Sequence, residues 1–250
     1  MDLRNRFPFN YWLTSVRPKQ MFIHRHDLGW LKMILTWIIL LALMIIPVPV
    51  YYGRQTQVNM DILLPKTTEA VKKQAVDQAL TTAFANKTTT RRVLYQDSQV
   101  IVGQNLSKVQ AKSRPVSITV QPKSFSLLED KAAFQVPRRA SIPFQSAKQY
   151  FNRQWYAENK NLVTMYFVTL FGGIAFVTAL LLWLGLAFFI WLTRFNRSTS
   201  IQKYKESLNL VLNAMGGGAV LACLVGFLHF EFGSLLVILS FWTVIMISIM

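Results

Sequence analysis

Apolar residues along the chain gather into four blocks, separated by polar and basic stretches. The first block, LKMILTWIILLALMIIPVPVYY (31–52), carries one charge, Lys32, at its edge. A bilayer core accommodates about 20 apolar residues as a helix. Trp30 and the pair Tyr51-Tyr52 stand where an aromatic belt belongs. Pro47 and Pro49 mark the predicted helix end, since proline lacks the N–H and disfavours helix before it. The second block (162–195) has no charge before Arg194, and its 34 residues would rise about 51 Å as a helix. That exceeds one bilayer core and falls short of two spans with a turn. It predicts one long tilted helix, with Gly172-Gly173 as a possible bend. Only Glu231 and Phe232 separate the third block (207–230) from the fourth (233–250), which predicts a tight helical hairpin.

The long stretch 53–161 has a different pattern. PKTTEAVKKQAVDQALTTAFAN (65–86) places Val71, Ala75, Val76, Ala79, Ala83 and Phe84 near one helix face, with Thr67 or Thr68 as a cap. RVLYQDSQVIVGQ (92–104) reads as a hairpin turning at Gln96-Asp97-Ser98. PVSITVQP (115–122) alternates apolar with polar residues, and SFSLLEDKAAFQVP (124–137) reads as two strands turning at Glu129-Asp130-Lys131. A helix over 146–161 leads into the second span. The fold class expected is therefore a mainly α membrane protein. It has four transmembrane helices and a small extracytoplasmic α+β domain inserted between the first and second. Its segments are 1–28 (cytoplasmic, with a short helix), 29–52 (span 1), 53–161 (α+β domain), 162–194 (span 2), 195–206 (basic cytoplasmic loop), 207–230 (span 3) and 233–250 (span 4).

Near the N-terminus Phe9, Trp12, Leu13 and Val16 follow i, i+3, i+4, i+7. Pro8 suits a first turn and Pro18 a stop. This predicts an amphipathic helix lying in the membrane interface, with docking onto a partner protein as the alternative. Composition agrees with a membrane chain: 52% hydrophobic, with mean hydropathy +0.31. A net charge of +16 would suggest nucleic acid in a soluble protein. The apolar blocks set that aside, and no nucleic-acid partner is expected. Arg4, Arg6, Arg17, Lys19, Arg25 and Lys32 precede or open the first span, and Arg194, Arg197, Lys203 and Lys205 lie between the second and third. The positive-inside rule then puts both termini in the cytoplasm and 53–161 outside. That stretch holds 17 Lys and Arg against 7 Asp and Glu, but long loops translocate largely regardless of charge. Arg17, Lys19, Arg25 and Lys32 form a basic collar suited to anionic lipid headgroups. The apolar run is too long, and begins too late, for a cleaved signal.

Candidate chemistry is sparse. The single cysteine, Cys223, cannot form an internal disulfide. Residues 53–161 contain no His or Cys, so an ordinary zinc site is not expected. Their carboxylates are scattered and no G-x-S-x-G occurs, which leaves only a Ser–Lys pair as a catalytic option. His24 and His26 lack a third ligand nearby. No cofactor, metal site or catalytic residue is expected, and the chain reads as non-enzymatic. In the third span Ala214, Gly218, Ala222 and Gly226 recur every four residues. Such a ladder lets helices approach closely; the alternative is a helix loosened at Gly216-Gly217-Gly218 that lines a substrate path. Asn209 and Asn213, one turn apart, could bond across helices or meet a polar ligand. No span carries a central charge, which argues against an ion or proton pump.

The segment from Ser15 through RPKQM to HRHDLGWLKMIL resembles the start of a family of bacterial membrane proteins of unknown function. Some members are labelled maltodextrin-utilisation protein MalA. Ser15, Pro18, Lys19, Arg25, Gly29 and Lys32 match its pattern. The layout is also similar, with one span, an extracytoplasmic insert and then a cluster of spans. The resemblance implies a multi-pass protein of the bacterial cytoplasmic membrane with a link to maltodextrin uptake, and brings no catalytic residues. The function expected is an accessory or scaffold subunit with a membrane-protein partner or self-association. The alternative is an oligomeric transporter or channel component.

Overall fold

The computed structural model describes residues 9–58, 60–85, 89–130, 132–138, 146–195 and 201–249. In chain order the elements are α1 (Phe9–Thr14), α2 (Pro18–Ile23), α3 (Trp30–Ile45), α4 (Pro47–Arg54), α5 (Pro65–Lys72), α6 (Gln74–Ala85), β1 (Arg92–Gln96), β2 (Val100–Gln104), α7 (Lys108–Ala111), β3 (Val116–Val120), β4 (Ser124–Glu129), β5 (Ala132–Pro137), α8 (Ala147–Leu192), α9 (Tyr204–Leu228) and α10 (Phe232–Ile249). The chain forms two compact units, Met1–Arg54 with Thr164–Met250, and Gln55–Val163. It is mainly helical with one five-stranded sheet.

Four helices among the described residues are long and apolar enough to cross a membrane: Trp30–Arg54, Gln149–Phe195, Tyr204–Leu228 and Phe232–Ile249. The helix end predicted at Pro47 coincides with the end of α3 at Ile45, but helix resumes directly as α4. Ile46 stays helical and donates its N–H to Ala42 O at 2.9 Å. Pro47 and Pro49 then occupy the first turn of α4, where no internal donor is required. The helix therefore breaks and resumes up to Arg54. The third span also differs from its looser reading, because α9 is one unbroken helix through Gly216-Gly217-Gly218. It is the central element: 72% of its apolar window is buried inside the chain, against 22% for the second span and 28% for the fourth. Around it lie Met33, Trp37, Leu40 and Met44 of α3, Ala175, Ala179, Trp183 and Ala187 of α8, and Leu235 and Leu239 of α10. The four α8 positions recur every four residues, so one narrow stripe of that helix turns inward. Trp37 and Trp183 stack there, with ring centres 6.0 Å apart.

In the second unit the strands run in the order β1-β2-β3-β4-β5, all antiparallel except the parallel pair β2–β3. The crossover between those two carries α7, opened by a capping box of Ser107 and Gln110. β2 and β3 are buried along their whole length. β2 packs against α6 (Val76, Leu80, Ala83, Phe84), and Phe125 of β4 meets Phe84 of α6 and Tyr150 and Phe151 at the start of α8. The hairpin predicted around Asp97 forms. Asp97 Oδ1 accepts the N–H groups of Gln99 and Val100, each at 2.7 Å, and Oδ2 accepts from Lys73 Nζ at 2.9 Å. Its carboxyl is held well below the usual range, first by Lys73 and then by the Val100 N–H.

The helix predicted over 65–86 is two helices, because Lys73 adopts an extended ψ of 126° between α5 and α6. Neither Thr67 nor Thr68 caps it. Both lie buried within α5, and Thr68 Oγ1 donates to Leu64 O at 2.9 Å. Glu129 of β4 takes the capping role from outside. It accepts the N–H of Lys66 at 3.2 Å and of Thr67 at 2.8 Å, a favourable placement for an anion at a helix N-terminus.

Candidate functional site: a clasp on the central helix

The polar groups of the first unit converge on one stretch of α9, residues 208–216. α9 has a narrow surface there because of Gly216 and Ala214, and three other segments reach it. From α1, the buried Tyr11 donates its hydroxyl to Leu212 O at 2.7 Å. Ser15, one turn further on, is fully buried and donates to Tyr11 O at 2.7 Å. Both side chains sit over Gly216: a Cβ there would run into Ser15 Oγ and come within 2.8 Å of the Tyr11 hydroxyl oxygen. Burial pushes the Tyr11 phenol pKa up, so it remains a proton donor.

The second segment is the connection from α2 to α3. Asn209 Nδ2 donates to Arg25 O at 2.8 Å and Leu28 O at 3.2 Å. Asn209 is fully buried, and its Oδ1 has no hydrogen-bond partner among the described residues. Asn213, one turn along, is buried as well. From the preceding helix, Met21 of α2 packs with Ile201, Leu210 and Ala214. The third segment is α8, whose Trp183 Nε1 donates to Leu208 O at 2.9 Å. Two α9 carbonyls thus accept a side-chain donor each, beside the buried amides of Asn209 and Asn213.

The ladder residues divide among neighbours of the same chain. Ala214 meets Met21. A Cβ at Gly218 would come 3.1 Å from Leu239 O of α10. Ala222 is buried in the central cluster. A Cβ at Gly226 would come 2.8 Å from Pro47 Cγ and 3.2 Å from Leu235 Cδ1. Gly217, off the ladder, faces Trp242, with Nε1 2.6 Å from a Cβ placed there. Close approach along α9 is thus taken up within the chain.

The collar residues separate. Arg17, Lys19, Lys32 and Val16 are exposed, while Trp12 is half-buried beside Tyr11 with ring centres 5.2 Å apart. Phe9 opens α1, and its side chain lies outside the described atoms. Arg25 turns into the chain. Its Nη1 donates to Phe22 O at 2.8 Å, the guanidinium lies 4.3 Å from the Phe22 ring centre, and Nε is 4.0 Å from Glu206 Oε2. Glu206 is itself buried and accepts the N–H of Gln202. Among the described residues no three His, Cys, Asp or Glu side chains gather as metal ligands. Beside the clasp an apolar groove of about 410 Å³ runs between Trp12, Val16, Val220, Leu224 and Trp242.

Sequence reasoning missed Tyr11 and Trp183, and met Ser15 only as a match to the family pattern. Tyr11 and Ser15 stand one helical turn apart, but only the fold supplies the glycine-thinned helix that they clasp.

The architecture defines a class: four membrane-length apolar helices, one of them a central helix clasped by its neighbours, with a separate unit built on a five-stranded sheet. Within that class the chain is similar to the maltodextrose utilization protein MalA of Streptococcus pneumoniae (strain ATCC BAA-255 / R6). The two are 20% identical over 234 residues, which cover 88% of this chain and 85% of that protein. The similarity runs along most of the chain, and that protein's name is the one that the resemblance in the sequence implied. No protein-family model matches the chain, and no solved structure matches it.

Proposed function

We propose that the protein is a non-enzymatic, multi-pass component of the bacterial cytoplasmic membrane, an accessory or scaffold subunit linked to maltodextrin utilisation. Both termini lie in the cytoplasm and residues 53–161 outside. The observation that carries the reading is how α9 uses its polar groups. Asn209 holds the α2–α3 connection, and the Leu208 and Leu212 carbonyls hold Trp183 and Tyr11. These groups fix neighbouring segments of the same chain. Small residues on every side of α9 serve the same end. The outward faces of the second and fourth spans, largely unburied within the chain, are left for lipid or a partner helix. The link to maltodextrin rests on the name of the pneumococcal relative.

The test is extraction in mild detergent followed by affinity purification and identification of co-purifying proteins. A scaffold brings down one or more other membrane proteins in fixed ratio. Purified protein that by itself carries labelled maltodextrin across reconstituted vesicles would refute the accessory role and support a transporter.

A further inference from the structure

The two ends of the five-stranded sheet differ in charge: one is basic, while the other mixes Asp97, Glu129 and Asp130 with Lys66, Lys73 and Arg114. The register pairs Arg92 with Gln104, Gln104 with Val120, Val120 with Phe125 and Ser124 with Pro137. It therefore brings the start of β1, the ends of β2 and β3, the start of β4 and the end of β5 to one edge. Arg91, Arg92, Lys123 and Arg138 stand at that edge, and Lys108 opens the helix that leaves it. Arg91, Arg92, Lys108 and Lys123 are exposed. Arg91 Nε donates to Asn105 O at 3.4 Å, and Arg138 Nη2 donates to Phe84 O at 2.8 Å. These are backbone carbonyls, so they position the guanidinium groups without cancelling their charge. None of the five forms an ion pair among the described residues.

Three carboxylates, Asp97, Glu129 and Asp130, stand at the opposite edge, and each is engaged. Asp97 holds Lys73, Asp130 holds Lys66 at 2.7 Å, and Glu129 caps α5. From Arg92 to Gln96 is four residues of strand, about 13 Å. That exceeds the Debye length of about 8 Å at physiological salt, so the far carboxylates do not neutralise the basic edge. Across the sheet the charges extend over four strand spacings, about 19 Å.

We propose that this edge binds a linear phosphate-bearing polyanion. A small anion would need donors that converge, and these are strung out in a row. A chain of phosphates presents repeated charge along a line, and exposed arginines match phosphate oxygens in bidentate fashion. The inference rests on charge placement alone and stands apart from the accessory reading above.

The test uses the full chain in nanodiscs of zwitterionic phosphatidylcholine, with long-chain inorganic polyphosphate and orthophosphate as probes. Binding is measured by thermophoresis over a range of salt. The polyphosphate is expected to bind and orthophosphate not. The double variant R92E/K123E should lose about tenfold or more, with the slope of log affinity against log salt reduced by about 1 to 2. The variant R17E/K19E makes the same change in net charge in the other unit and should bind as the parent. If R92E/K123E fails to fold, R92Q/K123Q gives the same slope measurement without charge reversal. Equal loss in R17E/K19E would overturn the proposal in favour of net charge alone. No binding of polyphosphate, with charge-dependent capture by phosphatidylglycerol vesicles through Arg92 and Lys123, would overturn it in favour of a lipid surface.

Discussion

Adding one methyl group at Gly226 probes the packing of the central helix. A Cβ there would sit 2.8 Å from Pro47 Cγ, 2.9 Å from Pro47 Cβ and 3.2 Å from Leu235 Cδ1. Optimal carbon–carbon separation is about 3.5–4.0 Å, so the contact with the ring is short by roughly 0.7 Å or more. A proline ring has no rotamer by which to swing away, so α9 and α4 must part. Overpacking of this kind costs about 1–3 kcal/mol. Replacing a mid-helix glycine by alanine returns about 1 kcal/mol through propensity. The net is a destabilisation of about 0–2 kcal/mol. Gly185, in α8, is the matched control, because nothing lies within 4 Å of a Cβ there. Gly185→Ala keeps the propensity gain without the clash, so subtraction isolates the packing cost of about 1–3 kcal/mol. For a chain of this size each kcal/mol moves Tm by about 2–4 °C. Cys223 is the sole cysteine and is buried, so a thiol-reactive dye reports unfolding of α9 directly. Gly226→Ala is expected to react at a lower temperature than Gly185→Ala by several degrees. If it unfolds at or above the temperature of the control, the tight contact between α9 and Pro47 is wrong.

Tyr11→Phe removes the bond to Leu212 O, which keeps its place in the helix ladder. A loss of about 1 kcal/mol is expected, read with the same dye and as faster proteolysis of the N-terminal segment. Asn209→Leu leaves two buried or half-buried carbonyls, those of Arg25 and Leu28, without their donor, at about 1–3 kcal/mol; trypsin should cut after Arg25 more readily than in the parent. Asp97→Asn should destabilise the second unit at neutral pH. The depressed folded pKa means that the stabilisation by the charged form is present above the ordinary carboxylate range and is lost as pH falls through the folded value. The gap between variant and parent should therefore narrow below about pH 5, followed by circular dichroism; a gap independent of pH would remove the charge from the argument. In a Cys223→Ala background, a cysteine at Ser98 should react with a membrane-impermeant maleimide on intact cells and one at Lys19 should not. The reverse pattern would invert the proposed orientation.

The four apolar helices were legible because hydropathy over about 20 residues needs no knowledge of neighbours. The sheet was legible from alternation and from the turn at Asp97. The clasp was not, for a physical reason. The apolar face read on α1 was Phe9, Trp12, Leu13 and Val16, and it did not include Tyr11. In the structure Tyr11 is buried and Val16 exposed. A tyrosine can bury its ring wherever its hydroxyl finds an acceptor, and the acceptor, Leu212 O, lies 201 residues away. No window along α1 contains it. The glycines show the same limit. A spacing of four selects Ala214, Gly218, Ala222 and Gly226, the pattern for a helix with one close neighbour. α9 has close neighbours on several sides, so Gly216 admits α1 and Gly217 admits Trp242 at positions that no single stripe includes. The inward stripe of α8 hides for the opposite reason. Ala175, Ala179 and Ala187 are small, but Trp183 stands between them, and its indole fits only because the Leu208 carbonyl accepts its N–H. A run of three consecutive glycines in an otherwise ordinary span is then better read as the mark of a helix enclosed on all sides than as a weak point in one that breaks.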